Sequence, residues 1–267
     1  MTDSISKIKR PMPQMWVRKE LSSRLQGNFN LQHFQLSSLI GTKETDSIFL
    51  PIDDLKIMLE SFDSTHKYLQ VFLACYDAGP DVDEKDKNKL TLLFGTSKSL
   101  TTDAPYPLYS IRTNGGSGLD PNSERWVTEY MVRKMPVLSS NIDRNPYDNH
   151  CDKSKALINT RRISYDVADI LELIETIKYL DKIPKTVSGF QAVFSSYCFK
   201  GKPDAKSPCL VNRIFVIFEF TTKVDGKNIV FYLDDIPEFE KPNLKNKQIT
   251  PLEMLGVDNG HLCPPNC

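Results

Sequence analysis

The 267-residue chain is 40% hydrophobic and 10% aromatic, enough apolar material to bury one large core or two smaller ones, which excludes a wholly disordered chain. Its 34 basic and 34 acidic residues cancel, so no long-range field draws it to nucleic acid, an anionic membrane or an acidic substrate. The opening residues MTDSISKIKRPMPQMW lack the apolar run of about 7 residues that a secretion signal needs, and no segment nears the roughly 20 apolar residues of a membrane span, so the expected location is the cytoplasm.

In chain order, a first helix is predicted across QMWVRKELSSRL, where Trp16 takes the core-packing role of a large apolar side chain. A second helix follows over DLKIMLESF, with Leu55, Met58, Leu59 and Phe62 at the spacing of one buried stripe. Two strands, YLQVFLACY and KLTLLFGTS, then pair across the polar loop DAGPDVDEKDKNK. Gly and Pro punctuation in APYPLYSIRTNGGSGLDPNSE marks a linker at 101–122. Beyond it the same order returns: ERWVTEYMVRKM with Trp126, then DILELIETI with its stripe of Ile170, Leu173, Ile174 and Ile177, then the strands GFQAVFSSYCF and RIFVIFEFTTK. Asp225-Gly226 is a type I′ hairpin signal that leads into NIVFYLDDI.

Self-similarity is the strongest signal in the chain. Both tryptophans precede Val; LIGTK from Leu39 matches LINTR from Leu157; the second helices, LQVFLACY with FQAVFSSY, and LTLLFGTSK with IFVIFEFTTK complete five matches in the same order, 110 to 125 residues apart. In that alignment Thr42 falls on Thr160, Thr96 on Thr221, Gln70 on Gln191, Asp54 on Asp169, Glu60 on Glu175, Tyr76 on Tyr197 and Cys75 on Ser196. The expected fold is α+β, an internally duplicated unit of two helices followed by antiparallel strands with the helices packed on one side of the sheet. The units are read as 11–100 and 123–236, with a C-terminal segment at 237–267. A groove between related halves is a natural place for a ligand.

Candidate chemistry gathers at the end of the chain, DNGHLCPPNC. His261, Cys263 and Cys267 are zinc-type ligands on a short segment, and NHCDK supplies His150 and Cys151 to complete a set. A Cys263–Cys267 disulfide and plain thiols are the other readings, and in a reducing compartment the remaining cysteines, Cys75, Cys198 and Cys209, are read as thiols. Asp234 and Asp235 at a strand end read first as turn residues and second as a Mg²⁺ pair. The chain has no GxSxG, GxxxxGK[ST], GxGxxG or HExxH pattern, and its histidines have no matching histidines in the other half.

The tail Gly260–Cys267, with Ser47–Leu55, Leu69–Asp77 and Leu90–Ser97, resembles a group of uncharacterised Bacteroidetes-type proteins that end in Gly-x-Leu-Cys-Pro-Pro-x-Cys. That resemblance implies a bacterial, cytosolic origin and a tail belonging to the fold, and implies no activity. The sequence as a whole favours a non-enzymatic binding or interaction module that needs no cofactor and takes a protein or small-molecule ligand, with neither nucleic acid nor membrane as partner. The alternative is a zinc- or thiol-dependent enzyme built on His261, Cys263, Cys267, His150 and Cys151.

Overall fold

Tyr68–Cys75 (β3) and Leu90–Ser97 (β4) are continuous runs of apolar and β-favouring residues, and the fold uses both of their faces: Leu69 to Cys75 are all buried. A computed structural model describes residues 10–11, 19–61, 63–80, 82–111, 117–140, 159–183, 186–196, 213–240 and 261–263. It is an α+β protein with two principal antiparallel sheets.

Each sheet centres on one of the expected hairpins. The β3–β4 hairpin belongs to a six-stranded sheet. The hairpin of Gly189–Ser196 (β8) and Ile214–Val224 (β9) belongs to a four-stranded one. Lys227–Phe231 (β10) joins β9 through a two-residue turn at Asp225 and Gly226, whose φ of 49° and 76° are the left-handed pair that a type I′ turn requires. The segment read as a linker, 101–122, extends the six-stranded sheet with Leu108–Ser110 (β5) and Gly118–Asp120 (β6). At the other end of the described chain, Phe239–Glu240 (β11) pairs in parallel with Arg10–Pro11 (β1).

The two hairpins are completed crosswise. Ser47–Pro51 (β2), from the first half, pairs with β8 in the second; Arg162–Asp166 (β7), from the second half, pairs with β3 in the first. The registers agree position by position: Leu50 lies opposite Phe190 as Tyr165 lies opposite Leu69, and Phe49 opposite Gln191 as Ser164 opposite Gln70. Backbone bonds beyond the ladders repeat as well. Phe194 N–H donates to the Asp46 carbonyl and Leu73 N–H to the Arg161 carbonyl, both at 3.0 Å. Ile52 N–H reaches the Ser188 carbonyl at 3.1 Å and Val167 N–H the Lys67 carbonyl at 2.9 Å.

The same register corrects three of the sequence matches. In the hairpins Gly189 faces Thr221 as Tyr68 faces Ser97, so the counterpart of Thr221 is Ser97 rather than Thr96. The counterpart of Thr160 is Thr45 rather than Thr42, because both Thr160 and Thr45 follow directly on a residue whose side chain caps them. The first helices align on serines. The Glu44 N–H donates to Ser37 Oγ and the Asn159 N–H to Ser139 Oγ, each at 2.9 Å. Trp126 precedes Ser139 by 13 residues and Trp16 precedes Ser37 by 21, so the tryptophans are out of register with these serines; Trp16, like Phe62 and Tyr197, lies outside the described residues.

Helices lie against both faces of the sheets. Lys19–Ile40 (α1) packs on the four-stranded sheet: Ser22 Oγ at 2.5 Å and Gln26 Nε2 at 3.0 Å both donate to Glu219 Oε1 on β9, and Phe29 meets Phe194 with ring centroids 6.0 Å apart. Over the six-stranded sheet lie Ser123–Glu129 (α3), a π-helical turn at Tyr130–Lys134 and Met135–Ser140 (α4). Pro136, which has no N–H to return to an earlier carbonyl, stands just past that turn. Trp126 on α3 is fully buried, edge-on to Tyr76 at 4.8 Å. Ile52–Glu60 (α2) follows β2 directly, and Val167–Leu180 (α5) follows β7 directly; both pack into the core that the two halves share.

Gly189 marks the crossing of β2 and β8. A Cβ there would strike the Leu50 carbonyl oxygen and approach the Phe49 ring to 2.9 Å, so Gly189→Ala should cost about 2 kcal/mol through overpacking. Gly27, inside α1, has open space around the position of a Cβ, and Gly27→Ala should add about 0.5–1 kcal/mol. Opposite shifts of the urea midpoint for the two variants are the expected result.

Candidate functional site

Each of α2 and α5 starts immediately after its strand and carries its apolar stripe from its fourth residue onward. Between them runs an apolar cleft that encloses about 30 Å³ and opens to solvent. Leu55 and Ile170, each the fourth residue of its helix, and Met58 and Leu173, each the seventh, line it from the two sides. Leu69 and its counterpart Phe190 lie among the strand residues below, with Phe94, Phe218 and Tyr165. Leu59 completes a lining in which the tyrosine is the one side chain carrying a hydroxyl. The same positions of the two halves thus meet at one cleft.

The loops that lead into β2 and β7 are pinned by unlike residues. Glu44 Oε1 accepts the Thr45 N–H at 2.8 Å and the Leu90 N–H at 2.7 Å. Asn159 Oδ1 does the same for Thr160 at 2.8 Å and Ile214 at 2.9 Å. An amide suffices for this job, yet one half uses a carboxylate, whose second oxygen takes the Lys134 ammonium of the π-helical turn; both side chains are at most 1% exposed. A buried ion pair of this kind is held together by the cost of stranding either charge.

A second charged group fixes β7 to the loop before β5. Arg161 donates to both Asp103 oxygens, at 2.5 and 2.8 Å, while Arg162 reaches Asp103 and the Leu100 carbonyl. Burial lowers the pKa of Arg162, with the Asp103 carboxylate opposing that shift. Cys75 is fully buried, and burial above all pushes its thiol up to about 12, the opposite of what a nucleophile needs. Gln70, matched with Gln191 in the sequence, is spent on structure: its side chain donates to Ser97 Oγ and the Thr102 carbonyl and accepts the Ala104 N–H.

The terminal cluster is in part visible. His261–Cys263 (β12) forms the outermost strand of the six-stranded sheet, antiparallel to β7, with His261 opposite Ser164 and Cys263 opposite Arg162. His261 and Cys263 therefore occupy alternate positions of one strand. His150, Cys151 and Cys267 lie outside the described residues, as do Cys198 and Cys209. Asp234 and Asp235 sit in a 3-10 turn at Leu233–Asp235. Among the described residues no group of three or more His, Cys, Asp and Glu is placed to hold a metal ion, and no helix is long and apolar enough to cross a membrane.

Comparison with protein-family models, with curated proteins and with solved structures returns no match for this chain.

Sequence reasoning missed Glu44, Lys134, Asp103 and the arginine pair, whose partners come together only through the crosswise strands. Lys134→Met leaves the Glu44 carboxylate buried without its cation and should cost ~3–5 kcal/mol. Adding Glu44→Gln restores the acceptor that Asn159 provides in the other half, so the double variant should recover more than half of that loss in chemical denaturation. For Cys75, iodoacetamide at pH 8 should leave the native residue unmodified by peptide mass analysis and label it fully after unfolding.

Proposed function

We propose that this chain is a duplicated, non-enzymatic binding module whose ligand is a small apolar molecule held between α2 and α5. The observation that carries this reading is the cleft itself, walled by the same apolar positions of both halves. Its lining carries no carboxylate, imidazole, amine or thiol, which suits binding and leaves chemistry without a strong reagent. The matching registers of β2 on β8 and β7 on β3 support duplication as the origin of the paired walls. The ordinary thermodynamic signature of such a site is a negative heat-capacity change on binding.

The alternative, a zinc- or thiol-dependent enzyme built on His261, Cys263, Cys267, His150 and Cys151, draws on the two ligand-type residues that alternate along β12. Elemental analysis separates the two readings: about one zinc per chain, lost with Cys263→Ser, supports the enzyme.

The binding reading is tested with 1-aminoanthracene as an apolar fluorescent probe. The expected result is saturable binding at one site per chain, weakened at least tenfold by Leu173→Trp, which fills the cleft from a half-buried position while leaving the melting temperature within a few degrees. Equal affinity of the filled variant and the parent protein would contradict the assignment.

A further inference from the structure

We propose that the outward face of α1 is a self-association surface, on which a second copy of this chain lays its own α1 antiparallel about a two-fold axis. The helix buries Leu25, Phe29 and Leu36. Among the described side chains from Ser23 to Ser38, the exposed ones are Ser23, Gly27, Asn30, Leu31, Phe34 and Ser38. At 3.6 residues per turn they all fall within about 50° of one line along the helix, opposite the buried face. Two of them are large and apolar: Phe34 is 69% exposed and Leu31 56%.

Charge indicates the kind of partner that fits. From Leu25 to Thr42 the sequence has no Asp, Glu, Lys or Arg, in a chain whose residues are 25% charged. The histidine of that run is turned off the line, where His33 Nε2 donates to the Glu44 carbonyl at 3.0 Å. A solvent-facing helix surface ordinarily carries charge, and like charges would hold two copies apart. On this stripe a second copy meets the first with no such repulsion, while a strongly charged partner finds no counter-ion.

The spacing selects a copy of the same helix. The exposed positions are symmetric about the point midway between Asn30 and Leu31, so a two-fold axis there brings each onto another member of the set. Phe34 then faces the partner's Gly27, Leu31 faces the partner's Asn30, and Ser38 faces the partner's Ser23. Large is thereby set against small. Among the described residues no atom lies within 4 Å of a Cβ built at Gly27, which leaves its surface free to receive a phenyl ring. Glycine and serine on the line let the helix axes approach to about 8 Å, the close end of helix packing. The 22-residue helix offers a stripe about 33 Å long and about 10 Å wide. That is less than the ~800 Å² per partner of a standard interface, so the dimer dissociates with a Kd on the order of 10–100 µM.

Sedimentation equilibrium of the full chain from about 5 to about 500 µM should show the average mass rising from one chain toward two. Phe34→Glu and Gly27→Leu change positions that are exposed in the single chain. Each should keep the melting temperature of the dilute protein and weaken association at least tenfold. The antiparallel register is read by cysteine cross-linking: a mixture of Ser23→Cys and Ser38→Cys chains should join under mild oxidation, with peptide mass analysis locating the bond between positions 23 and 38. Ser23→Cys chains alone should not join through position 23, since the two copies of that position lie about 22 Å apart along the paired helices. A monomer at every concentration, association unchanged by Phe34→Glu, or a bond between the two copies of position 23 overturns the proposal. No residue of α1 lines the apolar cleft, so Phe34→Glu should leave 1-aminoanthracene binding unchanged, and failure of this surface is separable from failure of the cleft.

Discussion

Everything in this molecule depends on two short strands pairing outside their own half. β2 completes the sheet of β8 and β9, and β7 completes the sheet of β3 and β4. A hairpin alone is marginal in water, and three strands with a covered face are the least that stand independently. Here the third strand of each sheet arrives from the other half, and a helix from that half comes with it: α1 lies over β8 and β9, α3 and its continuation over β3. Each half therefore contributes a hairpin to be covered and a helix–strand pair that covers its partner. The shared core and the cleft between α2 and α5 are consequences of that exchange, since both helices run straight out of the crossing strands.

The two halves are alike where backbone geometry is at stake and unlike where side chains fill space. Gln70 faces Gly95 across its hairpin, while Gln191 faces Glu219. At Gly95 a Cβ would press on Ala104 at 2.5 Å and on Leu108 at 2.7 Å, because the loop leading to β5 lies against that strand. At Glu219 the same place belongs to α1, whose Ser22 and Gln26, together with the Tyr232 hydroxyl at 2.8 Å, surround one carboxylate oxygen. Burial, followed by the bond to Glu219, raises the pKa of that tyrosine. The pair Glu44 and Asn159 shows the same division of labour: the two capping bonds are common to both, and the charge is needed only where Lys134 is present. With the strand scheme common to both halves and the surrounding packing different, the apolar cleft is the place where side chains of the two halves still agree.

The sequence revealed the parts of this fold that depend on local periodicity. The four hairpin strands, the stripes of α2 and α5 and the turn at Asp225-Gly226 all follow from spacing within about ten residues. The apolar stripes that line the cleft were legible too, as Leu55 and Met58 on one helix and Ile170 and Leu173 on the other. β2 and β7 were not. Five residues each, SIFLP and RISYD, carry no periodicity of their own, and their partners lie far away in the chain. Matching LIGTK to LINTR by identity gave an alignment three residues out of step, since Thr42 is an exposed threonine and Thr160 a buried one. The ion pair of Glu44 and Lys134 was hidden for the same reason: nothing along the chain brings α4's neighbourhood to the loop before β2 until the strands have crossed. The tail's pairing on β7 was likewise beyond any reading of spacing.

The dependence of each half on the other is the claim to test, and splitting the chain between Asn114 and Gly115 tests it most directly. Fragments 1–114 and 115–267 each lose the strand and helix that the other supplies. If each half completes its partner, neither fragment should show a cooperative unfolding transition alone, and mixing them at equal concentration should restore one, together with the near-ultraviolet dichroism of the buried Trp126. A cooperative transition in either isolated fragment, with no change on mixing, would contradict that dependence.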